Sequence, residues 1–221
     1  MNIPVFKGEL EVAGKLLPFH GLGKDTELER LWRYPDGDWN AAPQENRNGR
    51  VDPPEGLRDR FSVLYLADAV ITAAFETRVV AFSKNSDGNE EFDVVPDRSN
   101  ANGEMPPPLM VATHRTLAPV AFVDLEGDHI PDIFGIVLKG PLVSFEKWRE
   151  LSLAVYEFLE KNPNPAMPIV GVTYETQQNG SNGRNYAIFE CYRDVALVRG
   201  ASAALDYDRL RKAVGAPSPA R

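Results

Sequence analysis

Apolar positions along this chain follow two rhythms, and the switch between them predicts its elements. Leu64-Tyr65-Leu66 has the continuous apolar and aromatic character of a buried strand. Asp68 follows and suits a helix N-cap, because its carboxylate can accept a bond from an otherwise unpaired N–H. Neither Gly nor Pro interrupts the stretch from Ala69 to Glu76, so the helix reaches Glu76 about two turns on. The helical neighbours of Glu76 are Thr72, Ala73, Val79 and Val80, none of them basic. This predicts a concave, partly dry position, where a carboxylate needs a partner from elsewhere in the fold or a chemical task. The ordinary alternative is a structural Glu paired with a distant Arg.

The same reading extends along the chain. Residues 24–30 read as a charged helical patch, and Leu31-Trp32-Arg33-Tyr34 as a short strand ending at Pro35. Residues 120–123 and 133–138 read as strands separated by a turn at Gly127 and Pro131. Ser144 can cap a helix running to about Lys161, with Phe145, Trp148, Leu151, Val155, Phe158 and Leu159 as an apolar stripe that reads as core. Strands are predicted at 169–174, 186–189 and 195–198. A last helix spans about 207–214, starting after Asp206 and stopping at Gly215. Two segments, 35–59 and 85–108, are rich in Pro, Gly, Asn and charge and read as long irregular connections, which tend to be functional or mobile. The pattern predicts one α+β domain over residues 1–221, with mixed, mostly antiparallel sheets and a few flanking helices.

Composition narrows the function. The chain has 221 residues, 43% of them hydrophobic, and a formal net charge of −8. An acidic surface without a Lys or Arg run argues against nucleic-acid binding. The apolar stretches are too short to span a bilayer, and the N-terminus lacks a basic flank followed by an apolar segment. The single Cys191 cannot form an internal disulfide, so a soluble cytoplasmic protein is expected; it lies in a strand-like run and reads as a small core residue. His20, His114 and His129 have no metal-ligand spacing. Asp124, Glu126 and Asp128 beside His129 resemble a calcium loop but lack the carboxylate at its far end, so a solvated turn and no metal is expected. GxGxxG and GxxxxGK[ST] loops are both absent.

Other pieces are candidates to meet Glu76. They are Arg33-Tyr34, Arg60-Phe61-Ser62, the strand carrying Tyr65, and residues 171–189, where a polar Gly/Asn loop joins Tyr174 to Asn185-Tyr186. Singly, each has an ordinary explanation as a solvated strand end or hairpin loop. In order and spacing they resemble the RES family, named for a recurring Arg, Glu and Ser. The resemblance covers roughly residues 28–200. It rests on Leu31-Trp32-Arg33-Tyr34, Arg60-Phe61, Leu64-Tyr65-Leu66-Ala67, Ala73-Ala74-Phe75-Glu76, residues 120–125, Gly171 to Tyr174, Gly183-Arg184-Asn185 and Ala187-Ile188-Phe189. It implies an ADP-ribosyltransferase-like fold and a toxin of a bacterial toxin–antitoxin pair that consumes NAD+. The reaction would be cleavage of the nicotinamide–ribose bond with water or phosphate as acceptor, or transfer of ADP-ribose to a protein. A helix-turn-helix antitoxin is the implied partner; apolar outer faces would equally suit a homodimer.

On that resemblance Glu76, Arg33 and Thr176 are the catalytic candidates, and Arg33, Tyr34, Arg60, Tyr65 and Ser181 the NAD+-binding ones. Guanidinium groups suit the pyrophosphate, tyrosine rings the nicotinamide, and the Glu76 carboxylate a ribose that develops positive charge. The sequence departs from the family at Tyr174-Glu175-Thr176-Gln177-Gln178, where Tyr-Pro-Ser followed by Arg is usual. Thr176 then stands in the serine position, with Ser181 the alternative, and Gln178 in the basic one. The departure motivates a further expectation, a relative that binds NAD+ or a partner without catalysis.

Overall fold

The computed structural model describes residues 5–84, 90–95, 105–126, 130–136, 144–164, 167–176 and 183–215. Its strands are β1 (Val5–Val12), β2 (Lys15–Leu22), β3 (Glu27–Trp32), β4 (Val63–Ala67), β5 (Val80–Lys84), β6 (Glu90–Val94), β7 (Met110–Thr116), β8 (Val120–Asp124), β9 (Ile169–Glu175), β10 (Arg184–Phe189), β11 (Leu197–Val198) and β12 (Ser202–Ala204). The helices are α1 (Val70–Glu76), α2 (Ile130–Ile133), α3 (Phe145–Lys161), α4 (Arg193–Ala196) and α5 (Tyr207–Val214). Ten strands form one sheet in the order β1-β2-β8-β9-β10-β4-β3-β7-β11, with β12 also on β7. Within it β8 and β9 run parallel, and the other pairs are antiparallel. The β5–β6 hairpin stands apart as a second, two-stranded sheet. The fold is therefore mixed α+β around a large, mostly antiparallel sheet.

Alternation along the central strands sorts their side chains onto two faces. Tyr65 lies opposite Ala187, and Ala187 opposite Val172, so all three share the face that α3 covers. There Trp148, Leu151, Val155 and Leu159 of the helix meet Val63, Val123, Val172, Tyr174 and Phe189 of the sheet. Each such Leu or Val, once fully buried, contributes roughly 1.5–3 kcal/mol. Leu64, Leu66, Phe122, Val170, Tyr186 and Ile188 build the opposite face. Buried His20 joins them, its Nδ1 standing 3.0 Å from the Tyr186 hydroxyl. Burial, helped by the Arg184 charge, lowers the His20 pKa to about 4. The ring is neutral at pH 7, so Nδ1 can accept the phenol proton.

Several predicted elements change. Residues 24–30 are not helical: β3 starts at Glu27, and Glu27, Glu29 and Leu31 alternate with Leu28, Arg30 and Trp32 in a two-residue period. Tertiary pairing on both sides, with β4 and β7, overrides the helical propensity of Glu and Leu. Ile133 closes the single helical turn α2 and begins no strand; residues 137 and 138 lie outside the described residues. Residues 193–196 form a helical turn, leaving Leu197–Val198 as strand. The segment 85–108 contains β6, paired with β5. Helix α5 matches its expected bounds, and Asp206 accepts from the N–H groups of Asp208 and Arg209. Gly127, Asp128, His129, Gln178 and Ser181 lie outside the described residues.

Candidate active site

The N-cap of α1 is Ala69, one residue later than the sequence suggests. Asp68 has a different task. Its Oδ1 accepts from the Thr72 hydroxyl at 2.6 Å and its Oδ2 from the Arg184 N–H at 2.9 Å, while its own N–H donates to the Arg184 carbonyl at 3.1 Å. The carboxylate therefore ties the helix to the start of β10. Contact is tight there: a Cβ on Gly183 would stand 2.0 Å from Thr72 Oγ1. One turn further along the same side of the helix comes Glu76. It is half-buried, and Asn185 Nδ2 donates to its Oε1 at 3.0 Å.

Asn185 lies opposite Tyr174 in the β9–β10 register, which puts both on the α3 side of the sheet. Tyr174 is 1% exposed, and burial, reinforced by the Glu76 charge, raises its hydroxyl pKa far above the ordinary value. Two residues on, Thr176 shares the same face; its N–H donates to the Gly183 carbonyl at 2.9 Å. Its buried hydroxyl has no hydrogen-bond partner among the described residues.

A buried cation on this face is Arg50, which sequence reasoning did not single out. Its guanidinium carbon lies 4.8 Å from the centre of the Tyr174 ring, and 5.7 Å from each of Phe145 and Trp148. The residue is 8% exposed, yet Nε and Nη1 have no hydrogen-bond partner among the described residues. Aromatic faces attract a guanidinium, but they leave its N–H groups unmatched. A buried cation in that condition is costly unless a ligand meets it. Glu76, Asn185, Tyr174, Thr176 and Arg50 thus form one constellation: a held carboxylate, a free buried hydroxyl and a buried guanidinium with donors to spare. Charge-assisted pairing with phosphate and stabilisation of a developing cation are the chemistries such groups perform.

Of the predicted residues within the described part of the chain, the structure gathers Glu76 and Thr176 here and engages Arg33, Tyr34, Arg60 and Tyr65 in other contacts. Arg33 donates from Nη1 to the Pro107 carbonyl at 2.9 Å. Arg60 pairs with Glu160 at 2.5 Å on the exposed side of α3 and lies over Tyr156, which engages its guanidinium away from the Arg50 face. Tyr34 is engaged by the buried Arg30, which also donates to the carbonyls of Gly37, Asn40 and Tyr65. The Tyr65 hydroxyl accepts the Val51 N–H at 3.2 Å. Tyr65 therefore serves the loop that carries Arg50. Ser62 donates to Glu190. Asp124 pairs with Arg184 at 3.2 Å, and Glu126 accepts the Glu175 N–H at 2.7 Å.

A cavity of about 870 Å³ lies elsewhere, between β3, β7, β12 and helices α1 and α5. Most carboxylates on its wall are already engaged: Glu27 with Arg115, Glu29 with Thr113, Asp68 with Thr72, and Asp206 at its helix end. Among the described residues that line it, none carries an unmatched buried group like those of the Arg50 face. Comparison of the chain with protein-family models, with curated proteins and with solved structures returns no match.

Proposed function

We propose that this chain has an ADP-ribosyltransferase-like arrangement and cleaves the nicotinamide–ribose bond of NAD+ as the toxin of a toxin–antitoxin pair. One observation carries the reading: the buried Arg50 guanidinium, stacked on Tyr174 with unmatched N–H groups, on the sheet face that also bears Glu76. In this reading Arg50, in place of Arg60, grips the pyrophosphate with paired donors. Nicotinamide departs with the electron pair of the bond between its ring nitrogen and C1′ of the ribose, becoming neutral. The ribose is left oxocarbenium-like, and the Glu76 carboxylate, held by Asn185, stabilises that charge. An oxygen of water or phosphate then bonds to C1′, water losing a proton. Thr176 supplies a hydroxyl for the ribose or a phosphate. A helix-turn-helix antitoxin that silences the chain belongs to the proposal on resemblance alone.

The test follows nicotinamide release from NAD+ with and without inorganic phosphate, for the wild type, Glu76→Gln and Arg50→Met. Glu76→Gln is expected to lower kcat by about 100-fold or more, the size of a lost transition-state charge contact, with melting temperature retained. Arg50→Met is expected to act mainly on KM. Release that needs phosphate assigns a phosphorylase; release without it assigns hydrolysis. Radiolabel from NAD+ appearing on protein would assign transfer. Absence of both release and calorimetric NAD+ binding would overturn the reading, and binding without release would leave a non-catalytic NAD+ receptor.

A further inference from the structure

Arg50 sits in the irregular segment 35–59, yet the backbone around it is held on every side. Arg149 of α3 donates from Nε to the Gly49 carbonyl at 3.0 Å and from Nη2 to the Asn48 carbonyl at 2.6 Å. One turn on, Ser152 donates to the Val51 carbonyl at 2.9 Å. From the other side, the Asp52 carboxylate accepts the Gly49 N–H at 2.6 Å, and the Tyr65 hydroxyl accepts the Val51 N–H. Carbonyls and amides immediately flanking Arg50 are thus matched, while its own side chain is not. The same helix presents Trp148, one residue before Arg149, to the Arg50 guanidinium.

We propose that Arg149 is a positioning residue for the site: it clamps the loop through the Asn48 and Gly49 carbonyls so that Arg50 stands over Tyr174. A planar guanidinium suits this task because its rigid fork fixes two acceptors in a defined relation, where the rotatable donors of a lysine ammonium fix none. Each bond is made by a charged donor, the stronger class of hydrogen bond. Arg149 does not itself meet the ligand; it acts through Arg50. The proposal rests on the reading of Arg50 as the phosphate-gripping group, but its structural half stands separately.

Two measurements decide it. Amide hydrogen exchange of Gly49 and Val51 in ligand-free protein reads the clamp without reference to NAD+. Arg149→Met is expected to speed that exchange tenfold or more, Arg149→Lys less, and Arg50→Met not at all. Arg149→Lys provides the milder variant should Arg149→Met fail to fold. Unchanged protection in Arg149→Met, or in Arg149→Lys where Arg149→Met does not fold, would overturn the clamp, whatever the protein does with NAD+.

NAD+ kinetics read the consequence. Arg149→Met is expected to raise KM about tenfold with kcat changed less than threefold, since a lost grip on a remote phosphate removes uniform binding. In the double variant with Arg50→Met, the second substitution should add less than a further twofold. Penalties that multiply would show that Arg149 acts independently of Arg50 and overturn the proposal. If the wild type neither binds nor consumes NAD+, the functional reading falls, while exchange still decides the clamp.

Discussion

Gly49→Ala tests the architecture of the Arg50 loop with a single methyl group. Gly49 has no left-handed backbone conformation, so alanine imposes no backbone strain there, and the effect is one of contact. The added Cβ would stand 2.3 Å from the Tyr65 hydroxyl oxygen, 2.7 Å from the ring carbon that bears it, and 3.0 Å from Asp52 Oδ2. Tyr65 packs against the α3-side core, and its hydroxyl is bound to the Val51 N–H, so the ring cannot swing aside freely. The loop must move instead. Overpacking of this kind costs about 1–3 kcal/mol, and loosening the Val51–Tyr65 and Gly49–Asp52 bonds adds roughly 1 kcal/mol each.

The sum, about 3–5 kcal/mol, corresponds to a melting temperature lower by roughly 6–20 °C for a chain of this size. Urea unfolding at pH 7.5 measures the free energy and, under the proposed reaction, NAD+ titration the accompanying rise in KM. Adding Tyr65→Phe removes the atom at 2.3 Å, so the double variant should be more stable than the sum of the two single effects by about 1 kcal/mol or more. A Gly49→Ala protein within about 0.5 kcal/mol of wild type, with unchanged KM, would show that the loop does not rest on Tyr65.

Other outcomes follow from the same contacts. Arg60→Ala should leave the melting temperature and, under the proposed reaction, NAD+ turnover unchanged, because its pairing with Glu160 is exposed to solvent; a loss of turnover would return Arg60 to the site. His20 and His114 are both held neutral by burial, with pKa values lowered to about 4. The unfolded chain takes up these protons near pH 6.5 and the folded chain does not, so stability should fall as pH drops from about 6.5 towards 4. By pH 5.5 the loss is roughly 1–1.5 kcal/mol for each imidazole, read by urea midpoints at pH 7.5 and 5.5; a flat profile would contradict their burial as neutral rings. Asp206→Ala removes the cap of α5 and should cost about 1 kcal/mol by thermal melting.

What the sequence disclosed and what it hid divides along the range of the interaction. The α5 cap, the helix ending at Glu76 and most of the α3 stripe are local patterns that appear where the residues imply; Phe145, read as core, is instead 47% exposed at the helix start. Asn185 lies in one of the pieces expected to meet Glu76 but is not singled out there, because its contact with Glu76 depends on the pairing of β10 with β4 and β9. Arg50 stayed hidden because nothing local marks it. It is one arginine among the charges of a Pro- and Gly-rich stretch, and its surroundings come from α3 and β9, about a hundred residues away or more. The burial of Val51 to Pro54 just after it, unusual for a loop facing water, shows only in the fold. Arg33 and Arg60 misled for the converse reason. Strand-adjacent arginines are conspicuous in sequence, but here each finds an ordinary acceptor nearby in space.

The division of partners explains why a site can exist on this face at all. Had Glu76 and Arg50 closed on each other, they would have formed a buried ion pair and left no ligand charge to match. Instead Asn185, a neutral donor, takes one oxygen of Glu76, and three aromatic rings surround the Arg50 guanidinium. Neither neutralises the charge it holds. Replacing Asn185 by Asp should be more damaging than replacing it by Ala, because a second carboxylate 3.0 Å from Glu76 would force one of the two to hold a proton. The pH dependence of nicotinamide release separates these cases: under the proposed reaction Asn185→Asp should move the acidic limb to higher pH, and Asn185→Ala should lower the plateau without moving it. An acidic limb unchanged by Asn185→Asp would mean that Glu76 does not carry the charge on which turnover depends.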